Sequence, residues 1–331
     1  MMRAPRSIGL SRKHTLTGPV THPGQTQSQK ADSTSISSSS SKCQGVQNGA
    51  YNLRSPIIKR SRLTSKANGG IGKDLSEGWA ANFAIGCTHA CTFCYVDSIH
   101  RRYRSKALGF EDKPWGSYIY VPDNIDEAIA GTSWASWANK EVMLSSTHDP
   151  YLPLLARHTR SILELALPKG VRFCIQTRSP LVIRDLPLIE RYREQVRVQV
   201  SIATMDRRFA RAIEPRVAPP EARLRIIREA KAREIRAGII IAPVFPPMRM
   251  RPDPRADVAM LMEKLAEIEP DHIYGEALHF RGSNLVLTER STGEPISASE
   301  LRDFDREFGI IFKELLANQG LKGEWWNEHR K

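Results

Sequence analysis

From about residue 78 onward, apolar positions fall into two alternating rhythms. Short apolar runs occupy residues 80–85, 141–146, 171–177, 196–203, 239–245 and 272–278. Between them, Leu, Ile and Ala recur at helical spacing over 152–167, 186–194, 219–236 and 257–267, and a last helix is expected over 298–317. The punctuation agrees. Gly86 ends the first run, Pro168-Lys169-Gly170 stops a helix, and Pro219-Pro220 opens another that closes before Gly238. Strands alternating with helices imply a parallel sheet with right-handed crossovers. Six such units predict an α/β fold, a partial (β/α)6 barrel of TIM type, with a doubly wound sheet as the arrangement that spacing alone leaves open. Barrel chemistry sits at the C-terminal ends of the strands. The loop that directly follows the first run is expected on that face.

The N-terminal stretch reads differently. Residues 1–65 are rich in Ser, Thr, Gln and Gly, with an unbroken serine run at 37–41. Such a segment cannot bury enough apolar surface to offset its ordering entropy, so it is expected to be a disordered leader, with residues 66–331 forming the folded domain and its core at about 80–281. The leader also relocates the charge. The chain carries +13, but residues 1–73 hold twelve Lys or Arg against Asp32 alone, which leaves +2 for the rest. The basicity is therefore a property of the leader. It fits a plain tail, a weak anionic-surface contact or an organelle-targeting segment, and it does not mark the core as a nucleic-acid binder. No apolar run approaches the roughly 20 residues of a membrane span, no signal peptide is evident, and a cytoplasmic protein is expected.

Five cysteines are present: Cys43, Cys87, Cys91, Cys94 and Cys174. Three of them lie within eight residues, as Cys87-x-x-x-Cys91-x-x-Cys94, which points to metal ligation rather than a disulfide framework. Three thiolates in one loop can hold three irons of a cubane cluster and leave the fourth iron open to a small molecule. A zinc site with His89 as fourth ligand, stapling a non-catalytic nucleic-acid-binding or regulatory module, is the alternative. Cys43 lies in the leader as a bystander. Cys174 lies in a strand, where a buried small apolar role is expected.

The cysteine spacing, with Phe93 just before the third cysteine, is the signature of the radical S-adenosylmethionine (SAM) superfamily. Downstream segments in the same order resemble the spore photoproduct lyase family: SSTHDPYLP from Ser145, IQTRSPLVIRDLPLI from Ile175, VQVSIAT from Val198, EPRVAPPEARL from Glu214 and AGIIIAPVFPP from Ala237. The resemblance implies a [4Fe–4S] cluster on Cys87, Cys91 and Cys94, with SAM chelating the unique iron. It further implies an electron donor of flavodoxin or ferredoxin type and a 5′-deoxyadenosyl radical that takes hydrogen from a substrate, nucleic acid being one candidate class. Tyr95 matches the tyrosine after the third cysteine, Ser201 a serine near SAM, and Arg178 a lysine that contacts SAM. Ser146 stands where the lyase carries its hydrogen-donor cysteine. A hydroxyl is a poor hydrogen-atom donor to a carbon radical, so repair of the thymine photoproduct is disfavoured.

Other residues follow predicted strands on the same face. Ser145, His148 and Asp149 are expected near SAM or substrate, as are Glu214 and, as a wall against adenosine, Pro243. One of Glu276, His279 and Arg281 is expected to meet substrate, with strand alternation placing Glu276 and His279 on opposite sides. The interleaved Arg101, Arg102, Tyr103, Arg104 and Lys106 read as a solvated basic face or a nucleic-acid contact. Trp325-Trp326 reads as a seal on the barrel or on an interface.

Overall fold

In chain order the strands are β1 (Val46–Asn48), β2 (Ile58–Arg60), β3 (Trp79–Ala81), β4 (Ile85–Gly86), β5 (Ile119–Val121), β6 (Glu141–Leu144), β7 (Arg172–Thr177), β8 (Val196–Ser201), β9 (Arg236–Val244), β10 (Ile273–Ala277) and β11 (Glu324–Trp326). The helices are α1 (Val96–Tyr103), α2 (Ser105–Leu108), α3 (Ile125–Ala130), α4 (Ala156–Ala166), α5 (Leu186–Glu190), α6 (Arg207–Ile213), α7 (Pro220–Lys231), α8 (Pro254–Ile268), α9 (Asn284–Thr292) and α10 (Ala298–Asn318). The computed structural model describes residues 46–48, 51–61 and 76–326, which lie in the compact unit Cys43–Lys331. The rest of the expected leader lies outside the described residues.

The main sheet has the order β2-β3-β6-β7-β8-β9-β10-β11. From β3 to β11 every pairing is parallel, and the strands follow chain order without reversal. A doubly wound sheet reverses its order at a switch point, so the observed order is that of a partial barrel. One face of the sheet packs on helices through Val142, Phe173, Val198, Ile239 and Ile273, all within the main apolar core. The other face lines the barrel interior. There Ala80, Met143, Cys174, Ile240 and Ala242 form a separate small cluster joined by Tyr274 and Trp326. Cys174 is fully buried in it, and burial pushes its thiol up to about 12. At the N-terminal end of the interior, Arg197 meets Glu141 through two bonds of 2.9 and 3.0 Å.

Four expectations are corrected. First, the run 80–85 is not one strand. It leaves the barrel after Ala81, buries Phe83 and Ala84 in the core, and re-forms as β4 in a small second sheet of order β1-β5-β4. The pattern could not show this, because the apolar residues among 80–85 are buried whichever sheet they join. Second, folded structure begins before residue 66: Leu53, Ile57 and Ile58 are buried, and β2 pairs antiparallel with β3. Three apolar side chains suffice to dock a segment of otherwise polar composition. Third, the helix over 186–194 stops at Glu190. Fourth, a seventh parallel strand, β11, follows α10. Its Trp325 packs between Phe308 and Phe312 of α10 while Trp326 faces the interior side against His279, so the tandem tryptophans seal both faces of the barrel edge. Gly275 makes room for this seal: an added Cβ would lie 2.6 Å from both the Phe312 and Trp325 rings.

Candidate active site

The cysteine loop hangs between β4 and α1. Gly86, at φ +97°, turns the chain into it, and a Cβ there would collide with the carbonyl and ring of Tyr118. The Gly86 amide donates to His100 Nδ1 at 3.2 Å. Beyond the turn, the Trp115 indole donates to the Cys91 carbonyl at 3.2 Å, and the Thr92 amide donates to the Ile213 carbonyl at 2.9 Å. The loop is thus pinned from three sides. Cys87 and Cys91 are buried and Cys94 nearly so. None of the three is in a disulfide.

Burial pushes the Cys87 and Cys94 thiols up to about 12 and raises Cys91 further. Backbone N–H groups of Asp149 and His89 partly offset this at Cys87. Buried thiols of this kind become thiolates when a metal replaces their protons. The donor set fits an iron–sulfur cluster better than one ion. Three thiols without a free fourth side-chain donor leave a single tetrahedral ion one ligand short, whereas each can take one iron of a cubane. His89, the candidate fourth zinc ligand, has both nitrogens committed: Nε2 lies 3.0 Å from Asp149 Oδ2 and Nδ1 lies 3.4 Å from the Arg216 carbonyl.

Asp149 is the hub on the far side of the loop. Its carboxylate accepts from the Tyr151 amide at 2.8 Å, the Thr177 hydroxyl at 2.7 Å and the Arg178 amide at 2.7 Å, besides His89. Burial would raise this carboxyl, but His89 and these donors outweigh it and hold it below its usual range. Asp149 thereby ties the ends of β6 and β7 to the cysteine loop.

Arg178 leaves β7 toward the cysteines, with Cys91 and Cys94 among its charge partners and its guanidinium 5.7 Å from the Phe93 ring centre. Its Nε donates to Glu214 Oε1 at 2.9 Å, and its two Nη groups have no partner among the described residues. Glu214 is buried, and its second oxygen accepts from Arg223 Nη2 at 2.6 Å. Arg223 is fully buried in α7 and also donates to the Ser201 carbonyl at 2.8 Å. Burial would raise the Glu214 carboxyl, but the two arginines outweigh it and lower it. A carboxyl lowered on folding contributes stability in full above its ordinary range and loses it as pH falls below that range through the lowered value. The urea midpoint is therefore expected to drop on acidification below about pH 4, more steeply in the wild type than in Glu214→Gln. Parallel slopes in the two proteins would contradict this.

The remaining candidates are placed as follows. Ser145 closes a turn on itself, donating to the His148 carbonyl at 2.8 Å and accepting from the His148 amide at 3.2 Å. The His148 ring stands edge-on to Phe83, and burial lowers it to about 3, so it is neutral. Ser146 accepts from the Asn82 amide at 2.9 Å and lies 3.2 Å from the Ser61 hydroxyl. Ser201 ends β8, with Gln176 donating to its hydroxyl at 3.4 Å. Pro243 follows a cis peptide where β9 carries an extra residue against β10. Glu276, His279 and Arg281 do meet, contrary to the alternation argument. β10 ends at Ala277, so the chain turns and His279 Nδ1 comes within 3.2 Å of Glu276, with Arg281 3.4 Å from the same carboxylate and 5.5 Å from the Tyr95 ring centre. Of the basic cluster, Arg101 is structural, bonded to Asp97 at 2.9 Å and to two carbonyls, while Arg102, Tyr103, Arg104 and Lys106 are exposed.

Sequence reasoning missed Asn82, Trp115 and Arg223. Only Arg223 left a signal. It falls on the apolar stripe of its helix, beside Leu224 and in line with Pro220 and Ile227, where a charge has to be paired.

The Radical SAM superfamily matches residues 81–273. The chain belongs to that superfamily and is a radical SAM enzyme, which sets the non-catalytic alternative aside. Its cofactors are a [4Fe–4S] cluster and SAM, and its chemistry needs a reductant. Within the superfamily its fold is similar to that of spore photoproduct lyase. Solved structures of that lyase superpose with TM-scores of 0.60 for a cysteine-to-serine variant and 0.57 for the complex with dinucleoside spore photoproduct. Identities are 15 and 16%, over 85% of this chain and 81% of the lyase, so the likeness is one of fold. In sequence the chain is 52% identical to the uncharacterized protein ORF301 of Acidianus two-tailed virus, over 85% of this chain and 93% of the relative. An uncharacterized protein of Mycobacterium bovis is 28% identical over 62% of this chain and 60% of its own length. Among the described residues no helix is long and apolar enough to cross a membrane.

Proposed function

We propose that Cys87, Cys91 and Cys94 hold three irons of the [4Fe–4S] cluster and that SAM lies between the cysteine loop and the ends of β7, β8 and β9. When bound, these groups supply an electron to the sulfonium and a 5′-deoxyadenosyl radical that abstracts hydrogen from substrate. The chain's own residues bind and orient. The two uncommitted Nη groups of Arg178 form a fork suited to the SAM carboxylate. Glu214, with both oxygens taken by arginines, positions that fork. Ser201 and Pro243 wall the adenosine side, and Asp149, with the Ser145–His148 turn, braces the loop. Tyr95 and Ser146 lie toward the substrate side, where Asn82 orients the Ser146 hydroxyl.

The observation that carries this reading is the pairing of three thiols in one pinned loop, two of them buried, with a guanidinium beside them that keeps donors free. A serine at position 146 argues against ending the reaction with a thiol at that position, as the lyase does. Repair of the thymine photoproduct is disfavoured on that ground, and nucleic acid, peptide and small metabolite are the substrate classes to test. The test is anaerobic reconstitution with iron and sulfide, then SAM and a reductant, with 5′-deoxyadenosine as the product measured. Candidate polymers and metabolites are added in turn, and the true class raises the rate above the substrate-free rate. A fully reconstituted protein that never forms 5′-deoxyadenosine would sink the proposal.

A further inference from the structure

Two loops and the first turns of α10 enclose a groove of about 300 Å³. Its floor is apolar. Met248, in the loop after β9, and Ile296, just before α10, are buried in one cluster with Leu301 and with Phe93 of the cysteine loop. Its walls are apolar as well. Pro246 and Phe304 are half-buried, and Pro247 and Pro295 are exposed. Apolar surface left open in a hollow favours a second molecule that covers it.

The charge around this hollow has one sign. No basic residue lines the groove, whereas four carboxylates do. Glu300, Asp303 and Glu307 follow one another at i, i+3 and i+7 along α10, on the stripe that also carries Phe304. Glu294 stands on the loop before the helix. Two of the four have partners: Glu294 accepts from the Arg249 amide at 2.8 Å, and Asp303 accepts from Arg306 at 2.9 Å. Glu300 and Glu307 are exposed and have no hydrogen bond or ion pair among the described residues. Like charges at these spacings destabilise a helix. The positive end of α10 favours Glu300 in the first turn, but its influence fades before Glu307 in the third. The helix gains nothing from setting Asp303 and Glu307 one turn apart, whereas a cation laid along the groove gains from both.

We propose that the groove docks a basic, extended segment of a partner polypeptide, with an apolar side chain on the floor and a lysine or arginine to either side. The geometry sets the spacing. From Glu300 to Glu307 the helix rises about 10 Å, and basic residues three positions apart on an extended chain span about the same distance. A bare cation would satisfy the carboxylates and leave the apolar floor uncovered. A polyanion such as nucleic acid is repelled. Docking here needs neither cluster nor SAM, so it stands apart from the chemistry at the cysteine loop. Salt weakens the charged contacts and spares the apolar one.

The test is fluorescence anisotropy on the full-length holoprotein, with a fluorescein-labelled peptide that carries lysines three positions apart around leucine. The variant Glu300→Gln/Glu307→Gln is expected to bind it about fivefold or more weakly at low salt. The control Glu263→Gln/Glu269→Gln removes the same charge from exposed positions on and just after α8, and is expected to bind as the wild type does. All four positions are exposed, so both variants should keep the wild-type circular dichroism. Two altered peptides separate the sources of affinity. Glutamine for lysine should abolish the difference between the wild type and the Glu300→Gln/Glu307→Gln variant, and serine for leucine should weaken binding to both. The proposal is overturned if the lysine–leucine peptide fails to bind, if its affinity is the same in wild type and variant, or if the control loses as much. Spermine that competes as tightly as the peptide binds would make the groove a small-cation site and overturn it as well.

Discussion

Alanine in place of Cys87, Cys91 or Cys94 is expected to bring 5′-deoxyadenosine formation to background and to leave the protein without its iron–sulfur colour. Each thiol is the sole candidate ligand for its iron, because the neighbours that could substitute are committed. Asp149 accepts from three donors and contacts His89, and His89 is held between Asp149 and the Arg216 carbonyl. Among the described residues, a vacated corner of the cluster has no second donor beside it to recruit. The fold itself should survive. The loop is pinned through Gly86, Trp115 and Thr92 rather than through the sulfurs, and losing one buried sulfur costs about 1 kcal/mol. Circular dichroism is therefore expected to match the wild type. Cys174→Ala is the contrast: it removes a fully buried thiol from the small interior cluster and should keep colour and activity. A single alanine variant among the three that retained both the visible absorbance and the product would break the ligand assignment.

The parts of the fold that could be read in advance are those where local pattern and burial coincide. β9 is buried on both faces from Ala237 to Ala242 and its apolar run is continuous, while β7, β8 and β10 keep apolar or small residues at alternate positions. The pattern fails where burial carries no information about partners. Residues 80–85 are apolar apart from Asn82, yet Ala80 and Ala81 serve the barrel and Ile85 serves the small sheet of β1, β5 and β4, whose strands have two or three residues and owe their pairing to tertiary packing. The site shows the same division. The spacing of three cysteines and the segments around Asp149, Arg178 and Glu214 drew attention to one face, because their residue types are costly to bury without a purpose. What each side chain does with its atoms was not legible. The Ser145 hydroxyl bends back onto its own turn, His148 rests on Phe83, and His279 swings to Glu276 because β10 ends two residues before it. Alternation rules hold inside a strand, and these residues lie just past one.

The buried chain Arg178–Glu214–Arg223 makes the other large prediction. Arg223 is fully buried, and its charge is balanced by Glu214 alone, at 2.6 Å. Removing one partner of such a pair leaves an uncompensated charge in the interior, which costs about 3–5 kcal/mol. That is a large share of the roughly 5–15 kcal/mol that holds a domain together. Glu214→Ala is therefore expected to lower the urea midpoint severely. Arg223→Met removes the buried charge and refills its volume, and Glu214 keeps Arg178 as its partner at 2.9 Å, so this variant should be the milder one. The double variant Glu214→Ala/Arg223→Met should in turn be more stable than Glu214→Ala alone, since the stranded guanidinium is gone. A chain built only for stability would show no more than that ranking. If Glu214 also sets the direction of Arg178, the milder Glu214→Gln should fold and yet bind SAM about 10- to 100-fold more weakly, as is usual when the support of a binding group is loosened. Arg223→Met, with the Arg178–Glu214 contact intact, should lose less affinity than Glu214→Gln. Equal losses would mean that the network serves the fold and that Arg178 finds SAM without it.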